Sequence, residues 1–141
     1  LRAVVLSDLL TIHQKSGIGP LSAFCGAVCA GCAAGAAIAW LQGGGLEEVS
    51  HTLVNALAVV SGMVCDGAKA NCAAKAGMAL HGAMQALALA EAGLGADEEC
   101  GIVARTAAES AGNVYRLARE GAGGTDRVLC QIEEEKQGGW R

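Results

Sequence analysis

Large side chains are scarce in this sequence. Aromatic residues make up only 3% of the 141, and there is a single proline, Pro20. β-branched residues are thin as well, so a sheet, which fills its faces with Val, Ile, Thr and aromatics, is poorly served. Clustered Lys or Arg is also missing and the net charge is a mild −4, which leaves no electrostatic footprint for a nucleic acid. No basic segment followed by an apolar stretch and a cleavage site opens the chain, so no signal peptide is expected. Seven cysteines is an odd count without the regular framework of a small secreted domain, and a reducing cytoplasm is the expected location. The first residue is Leu1 rather than Met, in what already reads as the middle of a helix, which points to a fragment of a longer polypeptide.

What the sequence has in abundance is Ala and Gly. Cores built from such residues gain their contacts by close approach of backbones, which suits tightly packed helices. Apolar residues at Val4, Val5, Leu9, Leu10 and Ile12 place a first helix over about 1–15, ended by the loop Ser16-Gly17-Ile18-Gly19-Pro20. A second helix is expected from about Leu21 to Leu41, with Gly31 and Gly35 spaced to admit another helix closely. Gly43-Gly44-Gly45 breaks the chain. Glu47 and Glu48 then favour the first turn of a third helix, running to about Val64. The polar, flexible segment 65–72 reads as a loop, followed by a fourth helix from about Cys72 to Ala92. Asp97 or a neighbour caps a fifth, to about Glu120; Gly121, Gly123 and Gly124 form the next break, and Thr125 caps a short last helix over 126–136. The expectation is one all-α domain over 1–136, a single compact bundle of five or six Ala/Gly-rich helices, with a frayed tail at 137–141.

Residues 22–41 carry no charge over about the 20 residues that a membrane span requires. Their Ala, Gly and Cys are only weakly apolar and no basic flank sets an orientation, so a buried central helix is expected and no membrane partner.

Three cysteines stand in CGAVCAGC, residues 25–32. The spacing C-x3-C-x2-C is the one used by radical-SAM enzymes to hold a 4Fe–4S cluster, but there it lies on a loop after a strand of a β/α barrel. Here the flanking sequence is helical, and on a helix Cys25, Cys29 and Cys32 share one face, as small core residues commonly do. Cys65 and Cys72 are different. They bracket DGAKAN between two helices, beside Lys69 and, for Cys72, near a helix N-terminus, where thiol pKa values fall. C-x6-C is not a standard zinc or ferredoxin spacing, so residue chemistry alone leaves a metal ligand pair, a redox-sensing thiol module and incidental turn cysteines all open.

Three stretches narrow the choice: KSGIGPLSAFCGAV (15–28), SGMVCDGAKANCAAK (61–75) and GGTDRVL (123–129). They resemble the C-terminal half of the L-cysteine desulfidase family, itself related to the α-chain of the iron–sulfur L-serine dehydratases. The resemblance runs from about Leu6 to Ile132 and is most specific over GMVCDGAK-x-x-C. It implies a 4Fe–4S cluster held by three cysteines, with one iron left open to substrate. Cys65 and Cys72 would be two ligands, and Cys25 the third, 40 positions before Cys65 (65 − 25). Cys29 and Cys32 fall outside the family pattern and are assigned to helix packing. The activity implied is β-elimination from L-cysteine to pyruvate, ammonia and hydrogen sulfide, without pyridoxal phosphate; serine dehydration and a non-catalytic thiol or metal-binding domain are the alternatives.

Around those ligands, Lys69 is nominated to neutralise cluster charge or bind a substrate carboxylate, and Asp66 and Asn71 to hydrogen-bond near the sulfurs. Lys15, Ser16 and Asn71 are nominated as substrate contacts, and Lys69 and His13 as catalytic groups. His51 and His81 carry no motif, and Asp126 and Arg127 read as a pair at a helix start. The partners implied are a small amino-acid substrate and the N-terminal half of the same protein, where the family's catalytic base is expected. A half-protein alone would expose apolar helix faces and favour a homo-oligomer.

Overall fold

A computed structural model describes residues 1–20, 22–96, 98 and 101–138. Among the described residues six α-helices follow one another: α1 (Arg2–Ile18), α2 (Gly26–Leu41), α3 (Leu46–Val60), α4 (Asn71–Glu91), α5 (Ala107–Arg116) and α6 (Ala122–Gly138), with one π-helical turn, Leu117–Gly121, joining the last two. Among the described residues the only extended pairing is a single antiparallel bridge, Phe24 to Val64. The all-α architecture anticipated from composition is the one observed.

α2 is the axis of the molecule. Val28, Cys29, Cys32, Ala33 and Ala36 are fully buried, and α1, α3 and α4 all pack on it. This explains the uncharged run at 22–41: it is core, and no described helix is long and apolar enough to cross a membrane. The anticipated Gly31/Gly35 contact is made by α4. A β-carbon placed on Gly31 would sit 2.5 Å from Cβ of Ala79, and one on Gly35 would strike Cβ of Ala83. Only glycine lets the two backbones come this near. Both contacts have the same offset of 48 positions (79 − 31 and 83 − 35), so α2 and α4 run parallel and begin at the same end of the bundle. Gly82 faces Val60 and Asn55 reaches Ala96, which makes α3 antiparallel to α4.

Several boundaries differ from the sequence reading. α1 continues through Ser16 and Gly17 to Ile18 and stops at Gly19, whose φ of 110° is readily adopted only by glycine. Gly17 stays helical because its missing side chain makes room for the ring of Tyr115. Cys25 is not inside α2. It is the N-cap, with extended φ −66° and ψ 121°, so the three cysteines of CGAVCAGC do not form one helical stripe. α3 ends at Val60 rather than Val64, since Val64 is drawn into the bridge with Phe24.

The largest correction concerns 97–136. No break occurs at Gly121, Gly123 and Gly124; none of them takes a positive φ, and the helix passes through them by way of the π turn to Gly138. Thr125 is therefore interior to α6, and Asp126 and Arg127 are not at a helix start. The cap of α5 is Thr106, whose side chain accepts from Glu109 N in a reciprocal capping box. Asp97, the cap anticipated from sequence, lies outside the described residues, as do 139–141 of the anticipated tail, while Gln137 and Gly138 are helical.

Candidate functional site

Two segments distant in sequence meet at the end where α2 and α4 begin. Cys65 N–H donates to the carbonyl of Ala23 at 2.6 Å, next to the Phe24–Val64 bridge. That pairing lays Cys65 alongside the strand-like lead-in to Cys25, and half-buried Cys65 packs on the core cluster to which Cys25 belongs. Cys72 arrives by another route. It stands in the first turn of α4, and the constant offset between α2 and α4, carried back six residues from Gly31, brings Cys25 level with Ala73, the neighbour of Cys72. Cys25, Cys65 and Cys72 thus share one rim of the bundle. Cys25 and Cys72 each sit at a helix N-terminus with no acidic residue in the first turn. The sulfur of Cys72 also lies 3.5 Å from the N–H of Lys69 and 3.7 Å from the carbonyl of Gly67.

A charged clasp holds the loop between Cys65 and Cys72. Lys75 Nζ donates to the Val64 carbonyl at 2.7 Å and to Asp66 Oδ1 at 2.6 Å, and Lys69 Nζ pairs with Asp66 Oδ2 at 3.0 Å. Hydrogen bonds from Lys75 first, then Lys69, hold the Asp66 carboxyl well below the usual carboxylate range. The hydrogen bond to Asp66 in turn raises Lys75, against an opposing desolvation. Sequence reasoning passed over Lys75. The available signal was its place near the start of α4, where a cation opposes the helix dipole unless an anion stands nearby.

The remaining nominated residues divide into two groups. Lys69 and Asn71 belong to the cysteine loop, Asn71 exposed at the first position of α4. His13, Lys15 and Ser16 lie on α1. His13 is exposed with its ring edge-on to Tyr115, centroids 6.1 Å apart. Its carbonyl accepts from Ser16 Oγ at 2.7 Å, and Arg119 Nη2 donates to the Ser16 carbonyl at 3.3 Å. Lys15 is half-buried and its charge acts on Cys29. Among the described residues no hydrogen bond links this α1 group to the cysteine loop.

Cys29 and Cys32 behave as core. Desolvation pushes their thiols up to about 11 and about 12, so both stay neutral. Among the described residues, no three Cys, His, Asp or Glu side chains gather closely enough to hold a single metal ion; a cubane asks instead for ligand sulfurs roughly 6–7 Å apart. Two thiols beside bridged segments and a third in the first turn of α4, with ammonium groups nearby and an N–H aimed at the third sulfur, are a donor set of the chemistry such a cluster takes. A cleft of about 1170 Å³ lies at the opposite end, between the start of α3, the end of α4 and residues 103–107. It contains none of the nominated residues.

A family model described as serine dehydratase alpha chain matches residues 1–131. The chain belongs to the serine dehydratase alpha-chain family. Among its relatives, a UPF0597 protein of Desulfitobacterium hafniense (strain Y51) is 46% identical over 131 residues, covering 93% of this chain and 30% of the relative. A UPF0597 protein of Lachnoclostridium phytofermentans is 47% identical over 132 residues, 94% of this chain and 32% of the relative. One from Treponema denticola reaches 56% over 84 residues, 60% of this chain and 20% of the relative. The match therefore spans about a third of the length of the first two of these relatives. No solved structure gives a significant match.

Proposed function

We propose that this chain is the cluster-binding portion of an iron–sulfur-dependent β-elimination lyase that converts L-cysteine to pyruvate, ammonia and hydrogen sulfide. The observation that supports it is the shared rim: the parallel register of α2 and α4 and the Phe24–Val64 bridge bring the segments carrying Cys25, Cys65 and Cys72 to one place. Bound by those three thiolates, a 4Fe–4S cluster supplies a Lewis-acidic iron without a protein ligand. The chain's own residues do the rest. The ammonium groups of Lys69 and Lys75 offset the negative charge of the thiolates. Asp66 is held ionised and engaged by both lysines, so it accepts hydrogen bonds and is not the base for the Cα proton. Lys69 and Asn71, exposed at the mouth of the loop, offer donors to a substrate carboxylate. That base belongs to the additional polypeptide that relatives carry beyond the matched third.

Serine deamination is the second reading, favoured by the description of the family whose model matches. Cysteine and serine differ by one atom at Cβ, and both place a leaving group there.

Anaerobic reconstitution with iron and sulfide tests the proposal. The expected product is a brown protein with broad visible absorption, lost in Cys25→Ser, Cys65→Ser and Cys72→Ser and kept in Cys29→Ser. Stoichiometric zinc with no iron uptake would replace the lyase by a thiol–metal module. Pyruvate release from the reconstituted 141 residues is expected to be weak or nil; vigorous turnover would place the base within this chain.

A further inference from the structure

Lys75 is anchored on α4, yet both of its hydrogen-bond partners, the Val64 carbonyl and the Asp66 carboxylate, flank Cys65 on the loop side. Cys72 stands three residues before Lys75, almost one turn away on the same helix. One ammonium therefore ties the segment bearing Cys65 to the helix bearing Cys72. Within the loop, the Cys72 sulfur holds the Lys69 N–H and the Gly67 carbonyl at 3.5 and 3.7 Å, but these contacts leave the Cys65 end untouched. Residues 67–70 are exposed, Gly67 takes a φ of 97°, and the described backbone bonds at its ends are Cys65 N–H to Ala23 and Cys72 N–H to Lys69. The Lys69 side chain also pairs with Asp66, but as an i, i+3 contact inside the loop; that ion pair shapes the loop without tying the Cys65 end to a helix.

We propose that Lys75 is a positioning residue: its clasp on Val64 and Asp66 sets the separation of the Cys65 and Cys72 thiols and keeps the pair preorganised for the inorganic group they bind. The identity of that group rests on the cluster reading; the clasp does not. Preorganisation matters because each ligand segment that must be ordered on binding subtracts from affinity, and loss of an outer partner of a metal ligand commonly costs about 10–100-fold in affinity.

The test uses the 141-residue chain as Lys75→Met, which keeps length and apolar stem and removes the charge, with Lys69→Met as the comparison. Amide hydrogen exchange without metal, followed in peptides covering 62–72, is expected to accelerate several-fold in Lys75→Met while peptides from the middle of α2 and α3 keep their wild-type rates. Lys69→Met is expected to change it much less. Iron affinity on anaerobic reconstitution is expected to fall about tenfold or more in Lys75→Met, with a broadened EPR signal from mixed cluster environments after one-electron reduction with dithionite. Unchanged exchange over 62–72, or faster exchange with wild-type iron affinity and line shape, would overturn the positioning role. A wild-type chain that takes up no iron would remove the cluster reading, while the exchange comparison would still decide the clasp. Should Lys75→Met fail to fold, Asp66→Asn cuts the same clasp from the loop side and is expected to give the same exchange pattern.

Discussion

Gly31 shows how a single hydrogen in place of a methyl group sets the geometry of this protein. A β-carbon there would lie 2.5 Å from Cβ of Ala79 and 2.9 Å from the carbonyl of Ala76, so Gly31→Ala must push α2 and α4 apart. Overpacking of this kind costs about 1–3 kcal/mol, of which the better helix propensity of Ala returns up to about 1 kcal/mol. A thermal melt is expected to show a midpoint lowered by several degrees, and Ala79→Gly in the same chain to restore little of it, since the backbone of Ala76 and Leu80 still crowds the new methyl. Cys32 carries a second expectation at this scale. Its folded thiol is raised from 9.0 to about 12 by burial, so its contribution to stability is complete below pH 9 and drains away as pH climbs towards 12. Urea midpoints measured from pH 8 upward should fall more steeply for the wild type than for Cys32→Ala. The packing role of Cys29 and Cys32 was legible from sequence because cysteine among alanines on a helix needs no other explanation. That Cys25 differs from them was not legible from spacing: its separation rests on an extended N-cap conformation imposed by a partner segment some 40 residues on (65 − 25).

At the scale of elements, Ala-rich periodicity and triple glycine located α1 to α4 within a few residues, because burial and turn chemistry agree there. α5 and α6 were misdivided for a physical reason. Glycine marks a break only where a positive φ or an exposed turn is available, and each helical glycine costs only about 1 kcal/mol. The π turn Leu117–Gly121 instead carries the chain straight on, while Tyr115 against Gly17 and Arg119 on the Ser16 carbonyl pin the rod to the end of α1. The true start was written as Thr106-x-x-Glu109, a capping box preceded by an irregular run that hid it. Thr106→Ala removes the acceptor for Glu109 N, at 3.2 Å, and is expected to cost about 1 kcal/mol. A lower urea midpoint, with the decrease absent in Thr106→Ser, checks it.

The whole molecule presents an unusual first helix. α1 buries Gln14 and Ile18 on its inner side, yet Val4, Val5, Leu9 and Ile12 are 60%, 49%, 59% and 62% exposed on the other. A helix apolar on both sides is ordinarily covered on both. With this chain spanning about a third of its relatives' length, the isolated 141 residues are expected to self-associate through that face. Leu9→Glu with Ile12→Lys should shift light scattering towards the monomer mass at unchanged melting temperature; a wild type already monomeric at high concentration would show the face to be tolerated in water. α2 and α4 add a last consequence. They lie side by side like the two arms of a pair of tongs, closest at Gly35 and Ala83, with Cys25 and Cys72 near the tips. A wedge at that closest point, even one methyl wide, is expected to splay the tips, so a substitution more than two turns from both Cys25 and Cys72 is expected to weaken the proposed grip while both residues remain in place.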